Sequence, residues 1–293
     1  MFEPKGVIPA LVTPFDHDLN VDYKGIDRNL EFLEKHVDAL VPAGTTGEAA
    51  TLSYEEHIEV VKYVKQVSKL PVIGGAGSNS TREALYLGKE VEKAGVDAAM
   101  FVTPYYNKPN PEGLYRHYKT LADELSIPII VYNVPSRTGI NVTAEVARKL
   151  SEIDGVIAIK EASGNLKQIS EIIRTTSKDF ILLSGDDFLT LPILCLGGKG
   201  VISVAANVAP QLMKEMYESF VSGNLSRAVE LHHKLTPLFD VLFIDTNPIP
   251  VKKALELMGL AAGKPRMPLV ELDEVKTEKL RSVLQSLNLL MIP

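Results

Sequence analysis

One cysteine in 293 residues, Cys195, excludes an internal disulfide, so the fold does not depend on an oxidising compartment. It lies in the apolar, helical-looking run Leu191-Pro192-Ile193-Leu194-Cys195-Leu196. A core thiol is expected, because free cysteine is among the most buried residue types. No apolar run is long enough for a membrane-spanning helix, and Met1-Phe2-Glu3-Pro4-Lys5-Gly6 has no signal-peptide pattern. A cytoplasmic protein with no membrane partner is the expectation. Basic residues nowhere cluster, and 31 Lys and Arg against 37 Asp and Glu leave a formal charge of −6. That balance offers no footprint for nucleic acid. A content of 45% hydrophobic and 23% charged residues is ordinary for a globular chain, and the length suits one large domain or two small ones.

Short apolar runs alternate with amphipathic segments about every thirty residues, the spacing of repeated strand–helix units. Strands are expected over 7–12, 39–42, 71–74, 98–103, 128–132, 156–160, 181–184 and 201–204. Helices are expected over 54–68, 81–94, 112–125, 143–151 and 166–176, with Ser53, Ser80 and Asn165 as caps. Eight such units in a row predict an α/β fold of the (β/α)8 TIM-barrel type, with a doubly wound sheet as the alternative. Three more helical stretches, 225–239, 250–258 and 272–288, exceed what a barrel needs. The chain therefore divides into a barrel carrying the site, 1–223, and a C-terminal helical extension, 224–293.

In such a barrel the reactive groups sit at the carboxyl ends of the strands. None of the six histidines (His17, His36, His57, His117, His232, His233) falls there, and no metal site is expected. The glycine-rich run Gly197-Gly198-Lys199-Gly200 precedes the eighth strand, on the opposite face, where it serves as a turn rather than a phosphate cradle. The substrate is therefore expected to carry no phosphate.

The strand ends do carry Gly44-Thr45-Thr46-Gly47-Glu48, Thr103-Pro104-Tyr105-Tyr106-Asn107, Tyr132-Asn133-Val134-Pro135-Ser136-Arg137-Thr138-Gly139, Lys160, Gly185-Asp186-Asp187 and Ala205-Ala206-Asn207. Lys160 closes the run Gly155-Val156-Ile157-Ala158-Ile159, so its stem belongs to a core and its amine to whatever cavity the strand faces. Burial of such an amine favours its neutral, nucleophilic form. A lysine at a strand end can equally reach out to solvent, and the Thr-Thr loop, Tyr132 and Arg137 each have an ordinary structural reading when taken singly. Taken together they suit a small oxo acid. Thr45 and Thr46 offer hydroxyls and backbone N–H groups to a carboxylate, Tyr132 can pass a proton, and Arg137 brings a bidentate fork for a second carboxylate.

These segments, with Pro9-Ala10-Leu11-Val12-Thr13-Pro14-Phe15 and Asn247-Pro248-Ile249-Pro250-Val251-Lys252, resemble the pyruvate-dependent class I aldolases nearly end to end. Within that superfamily, also called N-acetylneuraminate lyase-like, the likeness is to the dihydrodipicolinate synthase family. The resemblance implies condensation of pyruvate with L-aspartate 4-semialdehyde to 4-hydroxy-tetrahydrodipicolinate, in the diaminopimelate route to lysine. By it, Lys160 forms an imine with pyruvate and Tyr132 is the proton donor and acceptor. Thr46 and the Ile202 backbone bind the pyruvate carboxylate, and Gly185 belongs to the substrate site. Thr45 and Tyr106 relay protons, with Tyr106 reaching in from a neighbouring subunit along an extended, projecting loop between Pro104 and Pro109. Arg137 holds the semialdehyde carboxylate. The resemblance also implies no metal or organic cofactor, and a homotetramer built as a dimer of dimers.

Family members that bind lysine as an effector do so at positions matching Ala49, Ala50, Tyr54, His57, Asn79, Glu83 and Tyr105. Tyr54 and Ala49 depart from the histidine and serine frequent there. A sister aldolase, such as N-acetylneuraminate lyase or 2-keto-3-deoxygluconate aldolase, would share Lys160 and Tyr132. It would need hydroxyl-binding groups where this chain has Ser136-Arg137-Thr138. A catalytically silent barrel acting as a ligand-binding regulator would have lost Lys160 or Tyr132, and neither is lost.

Overall fold

A computed structural model describes residues 2–290. Its sheet has seven parallel strands: β1 (Gly6–Pro9), β2 (Ile73–Gly75), β3 (Ala98–Val102), β4 (Ile129–Asn133), β5 (Val156–Glu161), β6 (Ile181–Ser184) and β7 (Gly200–Ser203). They are ordered β1-β7-β6-β5-β4-β3-β2. The expected strand over 39–42 fills the gap between β1 and β2, but only as two single-residue parallel bridges, Ala10 with Val41 and Leu40 with Val72. Val41 N–H donates to Pro9 O at 3.0 Å on one side, and Leu40 N–H donates to Pro71 O at 2.9 Å on the other. Pro9, Pro42 and Pro71 have no N–H to extend either ladder, and Ala43 turns the chain away at φ +51°. The barrel is thus closed by a segment too short to count as a full strand.

The helices of the barrel are α1 (Tyr23–Leu33), α2 (Tyr54–Val67), α3 (Thr81–Lys93), α4 (Pro111–Glu124), α5 (Pro135–Thr138), α6 (Ala144–Ser151), α7 (Leu166–Thr175), α8 (Thr190–Leu196) and α9 (Pro210–Val221). Ser53, Ser80 and Asn165 cap α2, α3 and α7 through their side chains as expected, and Ser53 forms a full capping box with Glu56. After α9 come α10 (Leu225–Val241), α11 (Ile249–Leu257) and α12 (Glu274–Ser286), matching the three extra helical stretches. Their apolar faces, including Leu231, Leu238, Val251, Leu255 and Leu280, join the same hydrophobic layer that packs the barrel helices on the sheet.

Cys195 is exposed, contrary to expectation. Helix α8 buries Thr190, Leu191, Ile193 and Leu194, and at about 100° per residue Cys195 falls outside that stripe. The glycine-rich turn is as expected. Gly197 ends α8 at φ +110°, and Gly200 packs so closely on β1 that a Cβ there would lie 2.2 Å from Gly6 O.

Two residues per pleat repeat sort the strands into two layers. Ile130, Tyr132, Ala158, Ile181, Leu183 and Ile202 face the barrel interior, whereas Val131, Ile159, Leu182 and Val201 face the helices. Ile8, Ile73 and Ala158 are among the buried side chains that fill the interior.

The closure makes a prediction. Gly75 lies under the 39–43 segment, and an added Cβ would meet Ala43 O at 2.3 Å. Gly75→Ala should lower the denaturant midpoint by the equivalent of about 2 kcal/mol or more. An unchanged midpoint would mean that this segment shifts freely and does not close the barrel.

Candidate active site

Lys160 follows Ala158 on the interior face of β5 by the same two-residue period, so its direction is set by the strand. Tyr132 is its register partner on β4, and the lysine Nζ lies 4.0 Å from the centre of the tyrosine ring. Both side chains are buried, at 6% exposure each. Gly185 makes room for the lysine stem, since a Cβ there would come within 3.1 Å of Lys160 Cγ and Cε. On the outer face of the same two strands, buried Glu161 accepts hydrogen bonds from Asn133 Nδ2 (2.9 Å) and Ser163 N (2.6 Å). That pair locks the ends of β4 and β5, and burial raises the Glu161 carboxyl above its ordinary range. Lys160 has no carboxylate partner among the described residues. The other buried lysine, Lys252, pairs with Glu48 at 2.6 Å.

A cavity of about 250 Å³ surrounds the amine. Thr45, Thr46, Tyr132, Arg137, Lys160, Gly185 and Ile202 all line it, so every interior residue expected at the substrate site is brought together. Asn247 lines it as well, and this residue was not singled out from sequence. Its Nδ2 donates to Thr46 Oγ1 at 3.0 Å, its carbonyl accepts from Arg137 Nη2 at 3.2 Å, and its buried Oδ1 has no partner among the described residues. Asn247 precedes α11, so the extension contributes directly to the wall. The sequence signal was the run Asn247-Pro248-Ile249-Pro250, which marks a tight entry into a helix.

A second cavity of about 730 Å³ adjoins the first, and Thr45, Tyr132, Val134 and Arg137 line both. Thr45 and Tyr132 share that wall without a hydrogen bond between them among the described residues. The larger cavity takes in Ala49, Ala50, Tyr54, His57, Glu83 and Tyr105. Asn79 is not part of its lining, and its carbonyl instead accepts from Asn107 Nδ2 at 2.8 Å. A hydrogen bond to Glu83 raises the Tyr54 phenol above its ordinary value. His57 is fixed by Nε2–H donating to Gly75 O at 2.6 Å, and burial lowers its pKa.

Tyr106 lines neither cavity of its own chain and is 88% exposed. Its loop projects as expected but is not extended. Asn107 N–H donates to Tyr105 O at 2.8 Å across Tyr106 at φ +72°, a strained γ-turn that the flanking prolines do not prevent.

Asp187, fully buried after β6, receives Ser203 Oγ at 2.5 Å, Val204 N at 3.0 Å and Ala205 N at 2.8 Å. It thereby fixes the turn after β7, next to Ile202. Burial pushes its carboxyl up to about 6, against the opposing effect of those hydrogen bonds.

Among the described residues, Asp16, His17 and Asp18 are the one group of potential metal ligands lying close together. They lie outside both cavities, and Asp16 Oδ1 is engaged by Asp18 N and Asn20 N within its own turn.

Compared with known proteins, residues 3–287 match the Dihydrodipicolinate synthetase family. A 4-hydroxy-tetrahydrodipicolinate synthase from Archaeoglobus fulgidus is 79% identical over 290 residues, covering 99% of this chain and 100% of that protein. Among solved structures, a dihydrodipicolinate synthase from Cyanidioschyzon merolae with lysine bound is 44% identical. It has a TM-score of 0.94 and covers 98% of this chain and 99% of its own. A monomeric dihydrodipicolinate synthase variant is also 44% identical, with a TM-score of 0.95 and coverage of 98% and 97%.

The Asp187 carboxyl generates a pH prediction. Folded, it takes up its proton near pH 6; unfolded, it does so near 3.8. Between those values the folded state holds more protons, so falling pH stabilises the fold and rising pH through about 6 withdraws that contribution. Asp187→Asn lacks it. Measured by denaturant unfolding, wild type should gain on the variant as pH falls from about 7 to about 4, by at most about 3 kcal/mol. A difference that stays flat over this range would contradict the assignment.

Proposed function

The chain belongs to the dihydrodipicolinate synthetase family, and from that premise we propose that it condenses pyruvate with L-aspartate 4-semialdehyde through a Schiff base on Lys160, a cytoplasmic step of lysine biosynthesis. The observation that carries this reading is Lys160 itself, buried at the carboxyl end of β5, beside Tyr132 and without a carboxylate partner among the described residues. A lysine clamped in an ion pair is held away from a carbonyl carbon, whereas one facing a cavity can reach it.

The amine adds to the pyruvate ketone and water leaves, giving the imine. Tyr132 takes a proton from the methyl carbon, forming the enamine, which attacks the semialdehyde carbonyl, whose oxygen is then protonated. The semialdehyde's own amino group next attacks the imine carbon and displaces Lys160, closing the ring and restoring the free enzyme. Thr46 and the Ile202 backbone hold the pyruvate carboxylate, within the lining they share with Lys160. Thr45 lies on the wall between the two cavities, which suits a proton path outward from Tyr132. Arg137, exposed at the rim common to both, offers its fork to the semialdehyde carboxylate. A residue range of 1–223 for the barrel and 224–293 for the extension is the division this reading uses.

An assembly completes the reading. Tyr106 is too exposed in its own chain to serve its own site, which supports a role across a subunit interface in a homotetramer of paired dimers. The larger cavity, with Tyr54, His57, Glu83 and Tyr105, is the proposed place for lysine as an effector, together with Ala49 and Ala50.

Borohydride added with pyruvate should leave a reduced adduct on the peptide containing Lys160, and Lys160→Ala should lose nearly all turnover. An adduct on another lysine would remove the proposal. Arg137→Ala should lower kcat/KM for the semialdehyde by roughly ten- to a thousandfold while pyruvate trapping is nearly unchanged. Equal losses in both would show that Arg137 holds the site together and does not read the second substrate.

A further inference from the structure

The loop carrying Thr45 and Thr46 is bounded by two non-glycine residues in the left-handed region, Ala43 at φ +51° and Glu48 at φ +56°. Such conformations persist only where the surroundings over-determine them. One anchor comes from the barrel, where Thr13 Oγ1 donates to Gly47 O at 2.7 Å. Further anchors come from beyond residue 246. Lys252, on α11, donates to Glu48 Oε1 at 2.6 Å, and its Nζ also meets Lys264 O at 3.2 Å. Arg266 N donates to the second Glu48 oxygen at 2.9 Å. The two partners of the ion pair are 2% and 1% exposed. Phe15 completes the enclosure, with Lys252 Nζ 4.1 Å and Arg266 Cζ 4.3 Å from its ring centre.

Glu48 and Lys252 line neither of these two cavities, whereas Thr45 and Thr46, joined to Glu48 through Gly47, line the one around Lys160. A buried ion pair gives little net stability compared with apolar packing, but it fixes geometry, because either charge left alone in the interior is costly. The same stretch of chain also supplies Asn247 to Thr46. We infer that Glu48 and Lys252 are positioning residues for the carboxylate-binding loop, through which the C-terminal extension sets the affinity of the site for its 2-oxo acid. This rests on the reading that Lys160 forms the imine and Thr46 holds the carboxylate.

The test measures borohydride trapping on the Lys160 peptide as a function of pyruvate concentration, well below the melting temperature of each protein. Glu48→Gln keeps the acceptor for Arg266 N and weakens the link to α11. Lys252→Met removes the link but strands a carboxylate, and the double variant Glu48→Gln/Lys252→Met leaves no uncompensated charge. The half-saturating pyruvate concentration should rise severalfold in Glu48→Gln and tenfold or more in the double variant, with KM for the semialdehyde nearly unchanged. The double variant should be no worse than Lys252→Met where the latter folds, because both remove one interaction. A purely structural role would lower the melting temperature and the trapped fraction and leave half-saturation where it was. That result in any folded variant, Glu48→Gln included, overturns the inference. Absence of trapping in wild type would instead remove the imine reading on which it rests.

Discussion

A lysine packed inside a closed parallel barrel, with no carboxylate beside it among the described residues, is the constraint around which this molecule is arranged. Burying a lysine is expensive unless its nitrogen is accommodated, and the chain buries two lysines in opposite ways. Lys252 is locked to Glu48 and three hydrogen bonds hold its nitrogen. Lys160 is given a tyrosine ring, a glycine that yields space to its stem, and a cavity. The first arrangement suits a fixture, and the second suits a group that forms a bond to carbon.

Holding Lys160 in that position depends on register more than on local contacts. The pairing of Tyr132 with Lys160 follows from the β4–β5 ladder, and a slip of β5 by one residue would turn Lys160 toward the helices and away from Tyr132. The outward-facing Asn133–Glu161 hydrogen bond guards against such a slip one residue further along. On the far side of the site, Asp187 fixes the turn after Ile202, and the Thr45–Thr46 loop is held from the C-terminal extension. Rigid strands thus supply the reactive pair, and buried polar groups behind the loops hold the surfaces that meet the substrate.

Much of this was legible in the linear chain because it depends on local rules. Apolar runs ending in polar residues located the strand ends, Ser53, Ser80 and Asn165 announced helix starts, and Lys160 stood out against Val156-Ile157-Ala158-Ile159. What escaped depends on pairing across long stretches of sequence. The 39–42 segment has a strand-like composition, but its own Pro42 and the flanking Pro9 and Pro71 limit it to isolated bridges. Asn247 meets Thr46 across 201 residues, and Lys252 meets Glu48 across 204, distances over which no periodicity carries information. Apolar neighbours suggest a core position for Cys195, but its helical angle turns it outward. Prolines around Tyr106 suggested an extended course, and the γ-turn there arises from the bond between Asn107 and Tyr105.

The proposed condensation joins pyruvate to a second substrate, which Arg137 at the rim selects. The direct measurement is steady-state kinetics with pyruvate and either L-aspartate 4-semialdehyde or glyceraldehyde, comparing kcat/KM for the two aldehydes. A site whose rim offers Arg137 to a carboxylate should prefer the semialdehyde by at least a hundredfold, roughly the worth of one charge-assisted bidentate contact. Equal values, or a preference for glyceraldehyde, would contradict the account and point to an aldolase for polyhydroxylated chains.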